Sequence, residues 1–232
     1  MKKLSLIAVI ILGLAVVSCS SASKKPSPLE GQWQQKNKTI AYKKFSKAGK
    51  WTPGQYVVTG NYNKGKKDSI SKTTVVRKEK NGWVIETIST SKDGKITGSQ
   101  MLISGYENAV KTGDGSKISL VWIKTMGEDG KVNMMEGESL AVYNVMMKST
   151  YEGLVIKANS YVKAEAVSVP AGNFQGSTKI TSSVKILFKT YKATTYLHPD
   201  VPVNGVIKTV SEDGEVLSEL LDYGFDGKAV IQ

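Results

Sequence analysis

The amino-acid sequence predicts a mainly β fold, a single curved antiparallel sheet or unclosed barrel with at most one or two short helices. Two observations predict it: turn dipeptides recur along the chain, and the segments between them are rich in Val, Ile, Thr, Tyr and Trp. Asn-Gly and Asp-Gly pairs tolerate the positive φ angles of type I′ hairpin turns. The pairs are Asn81-Gly82, Asp93-Gly94, Asp114-Gly115, Asp129-Gly130, Asn204-Gly205, Asp213-Gly214 and Asp226-Gly227.

The predicted strands follow from the segments between these turns. In chain order they cover 73–77, 83–90, 96–106 and 117–126, after a weaker alternation at Tyr56, Val58 and Tyr62. In 117–126 apolar residues fall at both odd and even positions, so both faces of the strand are apolar. This predicts a central strand packed on both faces. Such spacing of strands and turns is typical of a meander.

The clearest alternation lies in the second half of the chain. Ile180, Val184, Ile186 and Phe188 fall on one side of a strand, whereas lysines at 179, 185 and 189 fall on the other. A period of two places the apolar side chains on one face of a sheet and the lysines in water. This pattern predicts a strand with one buried face.

One stretch has helical spacing. Its apolar residues recur at intervals of three and four, with acidic residues near the start: Glu136, Glu138, Leu140, Tyr143, Met147 and Tyr151. The spacing and the acidic start are typical of a helix. The competing interpretation is another pair of strands, because Val142, Tyr143 and Val145 also suit β structure.

The N-terminus has the three parts of a bacterial signal peptide. Lys2 and Lys3 give a positive start, an apolar stretch follows over 4–17, and small or aliphatic residues precede Cys19. The apolar stretch is shorter than the roughly 20 residues that span a bilayer. We therefore divide the chain into a signal peptide (1–18), a lipidated flexible tether rich in Ser, Lys and Pro (19–29), and a single β-rich domain (30–232).

Cys19 is the predicted lipidation site. The residues Val16-Val17-Ser18-Cys19 resemble the bacterial lipobox, and this resemblance implies a diacylglyceryl thioether on Cys19, cleavage before it and acylation of the new amino terminus. A second acyl chain makes membrane anchoring stable. Ser20 resembles the pattern for sorting to the outer membrane, on either its periplasmic or its surface face. Cys19 is the only cysteine, so the mature domain has no disulfide.

The charge of the chain limits its partners. The formal net charge is +12, and Arg77 is the only arginine. Arginine is the residue suited to bidentate contacts with bases and phosphates, so this composition argues against nucleic acid. A lysine-rich surface suits anionic lipid head groups or acidic envelope and host polymers. The alternative is that dispersed lysines only keep the surface soluble.

No pattern predicts catalysis, a metal or a cofactor. His198 is the only histidine and lies beside Pro199, without a Gly-x-Ser-x-Gly elbow elsewhere, so we interpret it as a loop histidine. One histidine and one lipidated cysteine do not make a zinc site. The acidic pairs Glu128-Asp129 and Glu212-Asp213 fit turn chemistry better than calcium loops. We expect a protein that is not an enzyme.

Methionines suggest an apolar ligand cleft. Pairs at 134–135 and 146–147 flank the helical stretch, and methionine adapts to loosely specified apolar pockets. The candidate lining residues are Met135, Leu140, Met146 and Met147; the alternative is that they belong to the core. The four tryptophans are expected in the core or on a sheet face, with Trp51 partly exposed.

Two blocks in the last third of the chain resemble a known family. The block from Glu165 to Phe174 (Glu-Ala-Val-Ser-Val-Pro-Ala-Gly-Asn-Phe) is similar to a "VPAG-x-F" signature of bacterial periplasmic domains of unknown function. The block from Tyr196 to Lys208, followed by Glu219-Leu-Leu-Asp-Tyr-Gly224, resembles the end of the same domains. Such domains resemble the lipoprotein-carrier (Lol-type) fold. The resemblance implies a hydrophobic cleft that can hold acyl chains, and no catalytic residues.

The functional expectation is a membrane-anchored lipoprotein with a binding role in the cell envelope, which holds an apolar or amphipathic ligand or an envelope partner in a curved-sheet cleft. The alternative is a surface-exposed adhesin or interaction protein that uses a lysine-rich face.

Overall fold

The computed structural model describes residues 30–41, 43, 50–112, 117–141, 143–144, 162–163, 166–186 and 189–232. Cys19, the signal peptide, the tether and the Asp114-Gly115 pair lie outside the described residues. Within the described part, strands dominate; the α-helix α1 (Tyr106–Thr112) and 3₁₀ turns at Glu30–Trp33 and Gly137–Leu140 are also present. The strands are β1 (Thr39–Ile40), β2 (Tyr56–Asn63), β3 (Lys66–Glu79), β4 (Gly82–Ser91), β5 (Ile96–Ser104), β6 (Ser119–Met126), β7 (Val132–Glu136), β8 (Val162–Lys163), β9 (Val167–Val169), β10 (Gly172–Phe174), β11 (Thr178–Ile186), β12 (Lys189–Leu197), β13 (Val206–Ser211) and β14 (Val216–Gly224).

Eleven strands form one large antiparallel sheet. Their order is β7-β6-β5-β4-β3-β2-β14-β13-β12-β11-β8, so β7 and β8 are its two edges and the sheet is open. Pairing of β14 with β2, with Leu220 opposite Thr59, joins the two meanders. A small sheet of β1, β10 and β9 lies apart, with β1 parallel to β10. This architecture confirms the predicted fold class.

The Asp-Gly pairs connect hairpins as predicted, but not through type I′ turns. Asp93, Asp129 and Asp213 keep negative φ, and only the following glycines adopt positive φ, between +75° and +88°. In each loop the glycine N–H donates to the residue three positions earlier, as in Gly94 to Ser91 at 2.9 Å. These are the longer hairpin loops in which one glycine takes the left-handed position. Asp226-Gly227 follows β14 and connects no strands in the described chain.

One hairpin turn was not predicted from the sequence. Lys64 and Gly65 link β2 to β3 and both have positive φ, 50° and 70°, the conformation of a type I′ turn. A non-glycine residue rarely adopts this conformation, so a Lys-Gly pair gives little signal.

Strand β6 differs from its prediction. It is the second strand from an edge rather than a central strand. Its pairing with β5 shifts between Leu102 and Ile103, so one residue of β6 bulges out. As a result Leu120 and Ile123 are both buried, while Trp122 is half-buried.

Two predicted elements differ from the observed ones at a glycine. The strand expected over 96–106 ends at Ser104, and Gly105, with φ 75°, turns the chain into α1. The helix predicted around Leu140 begins as the Gly137–Leu140 3₁₀ turn, where Glu136 and Ser139 form a capping box. Ala141, Tyr143 and Asn144 have helical backbone, and the rest of that prediction lies outside the described residues.

The main core covers one face of the large sheet, which we call the core face, defined by Val57, Ile85 and Ile123. Trp51 belongs to this core at 3% exposure, so the prediction that it is partly exposed was wrong. Its ring stacks on Tyr106 with the centroids 3.4 Å apart, and its Nε1 donates to the carbonyl of Val203 at 2.8 Å. The loop that carries Trp51 folds back beneath the sheet.

Candidate functional site

The core face has two halves, and the half away from α1 is lined by uncharged polar side chains. Strand pairing places them in three rows that run across the strands. The first row is Asn133, Thr125, Ser99, Thr87 and Thr73; the second is Thr97, Ser89, Ser71 and Thr59; the third is Ser91, Ser69, Asn61, Ser218, Thr209 and Thr195. We call these residues the hydroxyl field.

The face of each strand follows from the period of two. Val75 on β3 and Ile85 on β4 are core residues, so Thr73 and Thr87, two positions away on each strand, share their face. The apolar and polar halves therefore lie on the same strands, and each strand changes from one to the other along its length. Asn133 and Met135 on the edge strand β7 mark this boundary.

Hydrogen bonds tie part of the field together. Ser71 and Ser89 lie 2.9 Å apart between their hydroxyl oxygens, and Thr73 and Thr87 lie 3.1 Å apart. The amide of Asn61 donates to the hydroxyls of Ser69 and Ser71, at 3.2 and 3.1 Å. Most field residues are half-buried, which leaves their hydroxyls within reach of a ligand.

The third row runs into the interior of the protein. Ser218 is buried, and Thr195 is only 1% exposed. The Thr195 hydroxyl has no hydrogen-bond partner, although most buried polar groups have one. This end of the field therefore holds an unmet donor and acceptor.

The predicted apolar cleft residues lie at the other half of the core face. Leu140 is 1% exposed and packs in the main core, and Met135 is half-buried against it. Met146 and Met147 lie outside the described residues, so the apolar cleft stays a prediction. Of its described members, one is a core residue and one lies at the border of the hydroxyl field.

His198 lies in the loop between β12 and β13, as predicted, and its side chain is buried. It is 0% exposed, its Nε2 lies 3.0 Å from the carbonyl of Ala41, and its Nδ1 accepts the backbone N–H of Asp200 at 3.2 Å. These contacts are those of a neutral ring with the proton on Nε2. Burial lowers the pKa of His198, so the ring stays neutral near pH 7.

The opposite face of the sheet carries a buried carboxylate. Glu86, on β4, is 1% exposed, and its two oxygens accept the backbone N–H groups of Val230 and Ile231, both at 2.8 Å. Gln100, on β5, donates to Glu86 at 3.2 Å and to the Ile231 carbonyl at 2.9 Å. These contacts hold residues 225–232, the C-terminal strap, across the sheet.

The described residues contain neither a metal-binding cluster nor a membrane-spanning helix. Within these ranges no group of three or more His, Cys, Asp and Glu side chains is placed to hold a metal ion. In the same part of the chain, no helix is both long and apolar enough to cross a bilayer.

Sequence reasoning missed the hydroxyl field, although its signal is present. Ser and Thr alternate at 69, 71 and 73, at 87, 89 and 91, and at 97 and 99. Each run is short and common in strands, because Thr favours β structure. Only the register between the strands brings the runs into one surface.

The sequence matches no family model and no curated protein. The resemblance to the "VPAG-x-F" domains and to the Lol-type fold therefore stays a prediction. Its signature segment forms the β9–β10 hairpin, with Val169 opposite Gly172.

The solved structures similar to this chain include two that match over most of their length. One is a protein described as exported, with a YmcC-like fold, from Bacteroides fragilis: 13% identity, 75% of this chain and 96% of that chain covered, TM-score 0.34. The other is a hypothetical protein from Chlamydia trachomatis: 10% identity, 78% and 91% covered, TM-score 0.37. Both TM-scores lie below 0.5, so neither likeness assigns a fold or a function to this chain.

Proposed function

We propose that this chain is a lipid-anchored, non-catalytic binding protein of the bacterial cell envelope, held at the outer membrane. It takes an amphipathic ligand or an envelope partner on the core face of its sheet. The observation that carries the proposal is the hydroxyl field, a wide, mostly half-buried polar surface without a charged side chain, which is bordered on the same face by the half-buried Met135. A ligand with an uncharged polar part and an apolar part matches this division.

The anchor is supported by the N-terminal sequence. The positive start, the apolar stretch and the small residues before Cys19 together resemble a lipoprotein leader. Lipid attachment at Cys19 would place the β domain within one tether length of a membrane. The field would then work beside the lipids and glycans of the envelope.

The non-catalytic role is supported by the state of the only histidine. Both ring nitrogens of His198 contact backbone groups, and the ring is enclosed by the protein. General acid–base catalysis requires a group that reaches the substrate. His198 instead stabilises the loop between β12 and β13.

The apolar part of the ligand would lie next to Met135. This side chain is half-buried and continues the same face of β7 as Asn133. Met146 and Met147 lie outside the described residues and stay predicted members of the apolar cleft. Methionine adapts its shape to acyl chains of different lengths.

The proposal is tested by native mass spectrometry. The full chain is expressed in a bacterium with its own N-terminal segment and purified from membranes in mild detergent. We expect a recurrent non-covalent adduct of constant mass, which organic extraction then identifies. Denaturing mass spectrometry of the same sample measures the covalent lipid on Cys19 separately.

Two matched substitutions locate the adduct. Thr73→Lys puts a charge into the hydroxyl field and should remove the adduct, whereas Thr90→Lys, on the opposite face of neighbouring β4, should keep it. Circular dichroism verifies that both variants fold. A bare protein mass in the wild type, or an adduct unaffected by Thr73→Lys, contradicts the proposal. Salt-dependent retention on acidic polymers by such a protein would favour the adhesin alternative.

A further inference from the structure

We infer that the hydroxyl field binds a neutral glycan chain, a polyhydroxylated ligand without carboxylate, phosphate or sulfate groups. This inference rests on the proposed function and names the ligand class of the same site. It follows from three properties of the field: its lack of charge, its regular spacing and its unmet hydrogen-bonding capacity.

The lack of charge is selective. Charged residues make up 22% of the chain, yet none of the fifteen field positions is Asp, Glu, Lys or Arg. Thirteen positions are Ser or Thr, whose hydroxyls both donate and accept hydrogen bonds, and two are Asn. An anionic ligand would need positive partners, which the field does not offer. Sugar hydroxyls have the same mixed donor and acceptor character as the field.

The spacing is that of a β-sheet. Neighbouring strands lie about 4.8 Å apart, and side chains on one face repeat about every 6.7 Å along a strand. The field therefore presents hydroxyls in a regular array across strands β2 to β7 and β12 to β14. A polymer with repeating hydroxyls can bond to several rows at once, so weak single contacts add up.

The capacity for further hydrogen bonds is unmet. Thr59, Ser99 and Thr125 form no side-chain hydrogen bond with another described residue. At the interior end, the hydroxyl of Thr195 is buried and has no partner. A buried hydroxyl without a partner costs free energy. A ligand hydroxyl that enters beside the half-buried Thr209, the neighbour of Thr195 in this row, and bonds to Thr195 would recover it. This is the observation that points to a ligand rather than to an ordinary polar sheet face.

The experiment measures glycan binding by isothermal titration calorimetry. The full chain, purified in mild detergent, is titrated with cellohexaose, maltohexaose and chitohexaose as neutral probes and with hexagalacturonate as an acidic probe. We expect at least one neutral hexasaccharide to bind ten-fold or more tightly than the acidic one. Because the field has no ionic partner, we expect little change in affinity between low and high salt.

A double variant assigns the binding to the field. Thr73→Val with Thr87→Val removes two hydroxyls that bond to each other, so both partners become apolar groups of the same shape and the fold is preserved. We expect affinity to fall at least ten-fold. Thr90→Val, on the opposite face of β4, is the matched control and should bind like the wild type.

Each outcome has one meaning. Failure of every neutral probe to bind the folded wild type overturns the inference, and so does binding that survives the double valine variant. If a bound lipid without sugar is found by mass spectrometry while no hexasaccharide binds, the inference fails and the proposed function stands. If no ligand is found by either method, both fail.

Discussion

We predict that removing the buried carboxylate of Glu86 lowers the free energy of unfolding. Its two oxygens accept the N–H groups of Val230 and Ile231, so it fixes the C-terminal strap across the sheet. In Glu86→Gln one oxygen becomes an amide N–H₂ that faces a backbone N–H and cannot accept its hydrogen bond. The variant therefore loses one charge-assisted hydrogen bond and leaves one buried donor unsatisfied.

The size of the effect follows from these two losses. A buried donor without a partner costs about 1–3 kcal/mol, and the lost charge on the two remaining bonds, from Ile231 and Gln100, adds about 1 kcal/mol, so we expect about 2–4 kcal/mol of destabilisation. For a chain of this length, that lowers Tm by roughly 4–16 °C. Urea denaturation followed by tryptophan fluorescence measures the free energy of unfolding directly.

The control is Glu215→Gln, because Glu215 is exposed in a hairpin loop. It should change the free energy of unfolding by less than about 0.5 kcal/mol. A Glu86→Gln variant that is as stable as this control would refute the assignment of Glu86 as the anchor of the strap.

Further predictions concern pH dependence and packing. Burial lowers the pKa of His198, so the unfolded state binds the proton more readily, and the free energy of unfolding should fall as the pH drops below about 6.5. Urea titrations between about pH 5 and 8 should show this slope, and His198→Gln should remove it. Gly105→Ala should destabilise the folded state by about 1–3 kcal/mol, because the new Cβ would lie 2.2 Å from a backbone oxygen. Gly130 has the same φ of 75° but lies in open space, so Gly130→Ala should destabilise the fold less. Thermal denaturation compares the two variants. Trp51→Phe should cost about 1–3 kcal/mol by urea denaturation, because it loses an indole hydrogen bond and part of the stack on Tyr106.

Local features of the fold could be predicted from the sequence. Asp-Gly pairs at 93–94, 129–130 and 213–214 mark hairpin loops because aspartate bonds to nearby backbone and glycine adopts positive φ at no steric cost. The alternation around Ile180 predicts β11 because side chains on a strand alternate between faces. These signals involve residues close together in the chain.

Features that depend on distant parts of the chain could not be predicted in this way. The neighbouring Pro53 and Gly54 indicate that Trp51 lies in a loop. It is nevertheless buried, because its ring stacks on Tyr106 and its indole N–H donates to a carbonyl 152 positions away in the chain. The sequence around Trp51 does not indicate these distant contacts. The pairing of β14 with β2 is of the same kind.

The two polar sites show the same limit. Glu86 and Gln100 are charged or polar residues on strands, which local pattern assigns to water, and they are buried because the C-terminal strap covers them. The hydroxyl field needs the register of nine strands before its short Ser and Thr runs form one surface. Ser89 and Thr90 are alike in sequence, but only Ser89 lies on the field.

The most direct test of ligand binding at the hydroxyl field is photo-crosslinking in living cells. A photoreactive phenylalanine analogue replaces either Ser89, on the field, or Thr90, on the opposite face of the same strand. We predict that light attaches a carbohydrate-containing envelope component to the protein at position 89 and not at position 90. Crosslinking that is absent from position 89, or equal at both positions, would contradict a ligand-binding role for this face of the sheet.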